Sequence, residues 1–290
     1  MITNRSQTNG LLGYPADARL LLINADDFGM CYAINAAILR TLKDGLVCST
    51  SLMMPCPWTL HAIHLLRKHP EISFGVHLTV ISDPANSRYG PLTSNEKVLS
   101  LLDETGYFYS FERMPEFLAQ AKLDELEVEF RAQIEAALAA QLKPTHLDWH
   151  CLRFGDRVEI FDVILGLAKE YGLALRVVGH RLIEQVQRQG LPTNDHDFMD
   201  SFQLDTTGKS AHYSQLLREL PVGLSEWAVH PGLGNAELQT LQPADFQVRQ
   251  TDFEFLMSRA AQDIVKEEGI ILTDYRPLQP VWNRMRSDSE

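Results

Sequence analysis

Apolar positions along the chain change period repeatedly, and each change marks an element. Residues 20–23 are an unbroken aliphatic run, which predicts a short strand buried on both faces, as in parallel sheets covered by helices. From Met30 the period becomes helical: Ile34, Ala37, Ile38 and Leu42 share one side, and Gly45 ends the pattern. Strand-like runs recur at 46–53, 72–80, 145–151, 173–178, 225–230 and 270–273. Helical patterns separate most of them, over 58–68 (Leu60, Ile63, Leu66), 116–141 (Leu126, Phe130, Ile134, Leu138), 161–171 and 245–268. The stretch 180–221 is less regular, a helix followed by a polar loop and a short second helix.

Seven strands interleaved with helices predict a wound α/β fold, either an open doubly wound sheet or an incomplete (β/α) barrel of parallel strands. Residues 1–18, polar and containing Gly10, Gly13 and Pro15, read as a flexible N-terminal arm. Residues 19–283 read as one domain, because α/β barrels reach this length undivided, and 284–290 as a polar tail. A loop-rich insertion at 82–115, with Pro84, Gly90, Pro91 and Gly106, carries Tyr89, Tyr107, Phe108, Tyr109 and Phe111. Those aromatics are expected to pack the excursion more than to line a pocket, although long loops are often functional.

Composition narrows the class. At 45% hydrophobic and 22% charged residues the chain is an ordinary globular protein. Its net charge of −12 disfavours a nucleic-acid partner, whose phosphates need clustered Lys and Arg, and suits a neutral substrate. Cys31, Cys48, Cys56 and Cys151 form no C-x-x-C pair, so reduced thiols and a cytoplasmic location are expected. No signal-peptide core is visible, and no segment approaches the run of about 18 apolar residues that a membrane span needs. A homo-oligomer is left open.

The candidate chemistry lies at strand ends. Asp26, Asp27, His77, His150 and His230 all fall at or just past the C-terminal ends of predicted strands, the edge where α/β folds build active sites. Two adjacent carboxylates persist where water, a cation or a raised pKa absorbs the charge; one Asp capping the next helix while the other is solvated is the plainer alternative. A carboxylate with two imidazoles suits Zn, Mn, Fe or Mg, so Asp27, His77 and His150 are assigned to a metal. Alternation puts His146, Asp148 and His150 on one strand face, either as a ligand with its supporting shell or as a structural network. Trp149 and Cys151 then point the other way, which makes Cys151 a packing residue. Asp26 is the candidate general base, and the chain must leave strand geometry beside it, which Gly29 permits. Arg176 either pairs with Asp26, holds substrate or forms a surface salt bridge, and His230 could protonate a leaving group.

Asn24-Ala25-Asp26-Asp27-Phe28-Gly29, Gly75-Val76-His77-Leu78, Thr145-His146-Leu147-Asp148-Trp149-His150 and Val229-His230-Pro231-Gly232 together resemble the YdjC-like carbohydrate deacetylases, from about Leu20 to Arg276. The resemblance implies a distorted (β/α) barrel of polysaccharide-deacetylase design and one divalent cation, Mg or Zn. It also implies hydrolytic removal of acetyl from an N-acetylated sugar or oligosaccharide. Asp27, His77 and His150 are then the ligands, Asp26 the base, and Arg176 and His230 further catalytic-site residues; the division between ligand and base leans on the resemblance. The chain departs from it at Trp149, Leu152 and Phe154, where the chitooligosaccharide enzymes carry Ser and further histidines, which implies another acyl-amino sugar or another acyl group. A metal-dependent phosphoesterase or other hydrolase with the same ligands, and a non-catalytic sugar-binding relative, are the alternatives.

Overall fold

Eight strands occur among the described residues of the computed structural model, which are 6–83 and 87–287. They are β1 (Arg19–Phe28), β2 (Ser49–Leu52), β3 (Ser73–Leu78), β4 (His146–Trp149), β5 (Ala174–Leu175), β6 (Met199–Asp200), β7 (Gly223–Val229) and β8 (Ile271–Thr273). Seven of them form one curled parallel sheet in the order β5-β4-β3-β2-β1-β7-β6, an α/β half-barrel with helices on its outer face. β7 pairs with β1 from Arg19 to Ala25, so β2 and β8 share the other edge, β2 beside Asn24–Phe28 and β8 beside Leu20–Leu22. The seven expected strands are present, and β6 is added inside the stretch read as a polar loop. β5 and β6 do not pair; Thr193 and Asn194 cross between them, bonding to the carbonyls of Leu175 and Val177.

Local chemistry corrects several boundaries. The helical pattern at 116–141 is two helices, Met114–Gln120 and Leu123–Ala139, because Ala121 and Lys122 take extended ψ values. That at 245–268 is also two, Phe246–Leu256 and Arg259–Glu267, the second capped by Ser258 Oγ. Leu60 and Leu138, placed on apolar stripes by spacing, are exposed, whereas Ile63, Leu66, Phe130 and Ile134 are buried. The arm is not loose from Ser6 onward: a helix, Gln7–Leu12, is docked by Thr8 on the Thr193 carbonyl and by Asn9 on those of Pro15 and Ala18. Residues 1–5, Pro84 with 85–86 in the insertion, and 288–290 of the tail lie outside the described residues. The final helix, Gln279–Ser287, takes up the start of that tail. Tyr89, Phe108 and Tyr109 of the insertion are buried and Tyr107 is exposed. No described helix is long and apolar enough to cross a membrane.

The barrel interior is polar and tightly filled. A Cβ on Gly75 would lie 2.5 Å from the His146 ring, and that ring is stacked at 3.6 Å on Tyr275, so it has no room to retreat. Gly75→Ala is therefore expected to destabilise the fold by about 1–3 kcal/mol through overpacking. The measurement is a lower urea midpoint at unchanged slope.

Candidate active site

Strand alternation aims Asn24 and Asp26 into the barrel, where Asn24 Nδ2 donates to Asp26 Oδ1 at 2.8 Å. Asp27 would then face outward. It turns inward instead, because its φ is +72° and the β1–β2 register is interrupted between Ala25 and Phe28. Gly29, at φ +108°, shares the departure from strand geometry. A left-handed aspartate costs about 1–3 kcal/mol, and here that strain brings two successive carboxylates to one face.

Around them the strands deliver their partners. Asp27 Oδ1 lies 3.5 Å from His77 Nε2 and 3.0 Å from His150 Nδ1, and ligand atoms of the three residues all fall within 4.8 Å of one another. The other Asp27 oxygen accepts from Arg249 Nη2 at 2.7 Å. Arg176 grips both oxygens of Asp26, at 2.7 and 2.8 Å, and also reaches Asp148 Oδ2 at 3.2 Å and Glu226 Oε1 at 2.7 Å. Tyr275 donates to that same Glu226 oxygen. Asp148 Oδ1 holds His77 Nδ1 at 2.9 Å, which leaves His77 Nε2 facing Asp27. His230 Nε2 is 3.9 Å from Asp26 Oδ2, and its Nδ1 is 2.7 Å from Ser201 Oγ.

Asp26, Asp27, His77, Asp148, His150, Arg176 and His230 are thus brought together. His146 stays below them, its Nδ1 on Thr145 Oγ1 and its Nε2 4.0 Å from Asp148, as a packed support for the layer above. The expectation that Cys151 points away fails: the strand ends at Trp149, and Cys151 turns back at φ +51°, with Sγ 3.8 Å from His150 Nδ1. Sequence reasoning missed Glu226, Tyr275 and Arg249. A lone carboxylate within the buried run of β7 was a readable signal for Glu226; Arg249 sits among other polar helix residues and carried none.

Burial works against the charged form of each group, and at Asp26, Asp27 and His77 the neighbours reverse it. Asp26 is raised by burial but brought below the usual carboxylate range by Arg176 and His77; Asp27 is brought well below it by Arg249 and His150. Burial would lower His77, yet Asp148 and Asp26 lift it to about 10. Burial holds His146 down at about 3, so it is neutral. Asp26, Asp27 and Asp148 are held ionised against Arg176, Arg249 and a protonated His77, and a cation seated beside His77 would take the place of its proton. His150 Nε2 is also buried without a partner. Donor set, the unpartnered His150 nitrogen and the Asp148-oriented imidazole fit a divalent metal at Asp27, His77 and His150.

A pH effect follows. Because the folded His77 pKa lies above its ordinary 6.5, its contribution to stability is complete below about 6.5 and is lost as pH rises towards about 10. Metal-free protein is expected to lose thermal midpoint across that window more steeply than metal-free His77→Gln, as differential scanning fluorimetry would measure.

A cavity of about 560 Å³ lies at the same sheet edge past β4, lined by Trp149, Phe154, Arg153 and Arg181; another of about 440 Å³, lined by Val47, Ser73 and Leu272, lies at the opposite edge, away from these groups.

The sequence profile of the family described as YdjC-like protein matches residues 20–267. A carbohydrate deacetylase of Enterococcus faecalis is 32% identical over 265 residues, covering 89% of this chain and 97% of the relative. A chitooligosaccharide deacetylase of Yersinia enterocolitica is 28% identical over 265 residues, covering 89% and 98%. Among solved structures, an Enterococcus faecalis protein provisionally described as a cellobiose-phosphate cleavage protein superposes with a TM-score of 0.79 at 29% identity, covering 90% of this chain and 99% of that one.

Proposed function

This chain belongs to the YdjC-like family, and from that footing we propose that it is a metal-dependent carbohydrate deacetylase, cleaving acetyl from an N-acetylated sugar or oligosaccharide. The observation that carries the reading is the convergence of Asp26, Asp27, His77 and His150 at one strand edge, with ligand atoms of Asp27, His77 and His150 within 4.8 Å of one another and an unpartnered imidazole nitrogen on His150. Asp27, His77 and His150 would hold the cation. Bound there, a divalent cation supplies Lewis-acid polarisation of the amide carbonyl and acidifies water, which matters because a carboxylate with a depressed pKa is a weak base.

Asp26 is the proton acceptor. Arg176 keeps it ionised at neutral pH and fixes both its oxygens, so the lone pair facing the site does not wander. His230, across from Asp26, carries the proton to the departing amine through Nε2, while Ser201 holds its Nδ1. Asp148 keeps the Nδ1 side of His77 occupied and so fixes the tautomer that leaves Nε2 free. Arg249 balances the second oxygen of Asp27.

Acetate release from N-acetylated mono- and oligosaccharides, before and after chelation and with Mg or Zn restored, tests the reading. Release abolished by chelator and recovered with metal is expected; no release across the panel, or release indifferent to chelation, overturns it.

A further inference from the structure

Beside the proposed catalytic centre lies a second donor cluster with different chemistry. Cys151 Sγ is 3.8 Å from Asp83 Oδ2 and 3.8 Å from His150 Nδ1, and ligand atoms of Asp83, His150 and Cys151 all lie within 4.8 Å of one another. A thiol, an imidazole and a carboxylate form a softer set than a carboxylate with two imidazoles, and soft sulfur selects thiophilic ions.

The thiol reaches this position through backbone strain. Cys151, at φ +51°, is the centre of a three-residue turn closed by the Leu152 N–H on the His150 carbonyl at 2.5 Å. Such turns are rare outside glycine, and a continued strand would have sent the side chain to the other face. A strained residue at a functional edge asks for a role.

His150 is common to both clusters. Its Nδ1 lies 3.0 Å from Asp27 Oδ1 on one side and 3.8 Å from Cys151 Sγ on the other, and its Nε2 is buried and unpartnered. We propose that Asp83, His150 and Cys151 form a second, thiophilic cation seat that competes with the Asp27–His77–His150 centre for the shared imidazole. A thiophilic divalent ion, Cd²⁺ or Zn²⁺ in excess, then inhibits by drawing His150 out of the catalytic set. Capture breaks the Cys151 S–H bond and forms a sulfur–metal bond; the proton passes to solvent, and no oxidant or reductant takes part.

The test is a Cd²⁺ titration of the metal-free full chain without substrate, reading the ultraviolet charge-transfer band of a cadmium–thiolate bond. The wild type should show a band saturating at one ion per chain. Cys151→Ser should lack it, and Asp83→Asn should need about tenfold or more Cd²⁺ to develop it. The double variant Asp27→Ala, His77→Ala should keep it, and Mg²⁺ added first should shift the wild-type midpoint upward. If Cys151→Ser does not fold, the Asp83→Asn shift carries the decision. A wild type without the band, an undiminished band in Cys151→Ser, or loss of the band in the double variant overturns the proposal, the last because the thiol would then be an extra ligand of one centre. No substrate enters this experiment, so its failure leaves the deacetylase reading to the acetate assay.

Discussion

Asp26→Asn is expected to lower the turnover of acetate release by on the order of 10²–10⁴-fold while leaving bound metal at the wild-type level. Asparagine keeps the shape of the side chain and can still accept one bond from Arg176, but it cannot take a proton from water. Asp26 is held by Arg176 and Asn24, whereas the cluster of Asp27, His77 and His150 can form without it. The two readouts therefore separate a base from a ligand. Steady-state turnover together with elemental analysis of the purified variant provides the check; a large loss of metal would place Asp26 among the ligands, and unchanged turnover would remove it from the chemistry.

Arg176→Met is expected to be the most damaging substitution for the fold, at about 3–5 kcal/mol, the usual range for breaking a buried ion pair from one side. A single guanidinium serves Asp26, Asp148 and Glu226, and all four groups are buried. Without it, three carboxyl groups face one another in a medium that solvates them poorly, and at least one must take up a proton. Arg176→Lys should recover only part of the loss, because an ammonium cannot present a planar fork to one carboxylate while bonding two others. Chemical denaturation of both variants tests this. A methionine variant as stable as the wild type would mean that solvent reaches the cluster and screens it.

Some of the site was readable because strand ends are local features. The aliphatic start of β1 followed by polar Asn24, Asp26 and Asp27 marks where a buried strand meets the loops, and the same holds for His77 on β3 and His150 after β4. Cys151 was misjudged for the opposite reason: alternation was extended one residue past the end of β4, where a turn reverses the side chain. The two split helices failed in the same manner, since both pieces of each carry buried apolar residues and the spacing of those residues does not mark the break between them.

The sequence by itself determined seven of the eight strands found among the described residues and their order, and with them the set of acids and imidazoles at one edge, because the periods of two and 3.6 that define the elements are written in neighbouring residues. Only the tertiary structure decided which way Asp27 faces and which groups balance the buried charge. The first depends on a left-handed backbone at a register break with β2; the second on Arg249, 222 residues away, and on Glu226 and Tyr275 from β7 and the segment after β8. Charge compensation acts through space, so partners far apart along the chain leave no periodic trace in it.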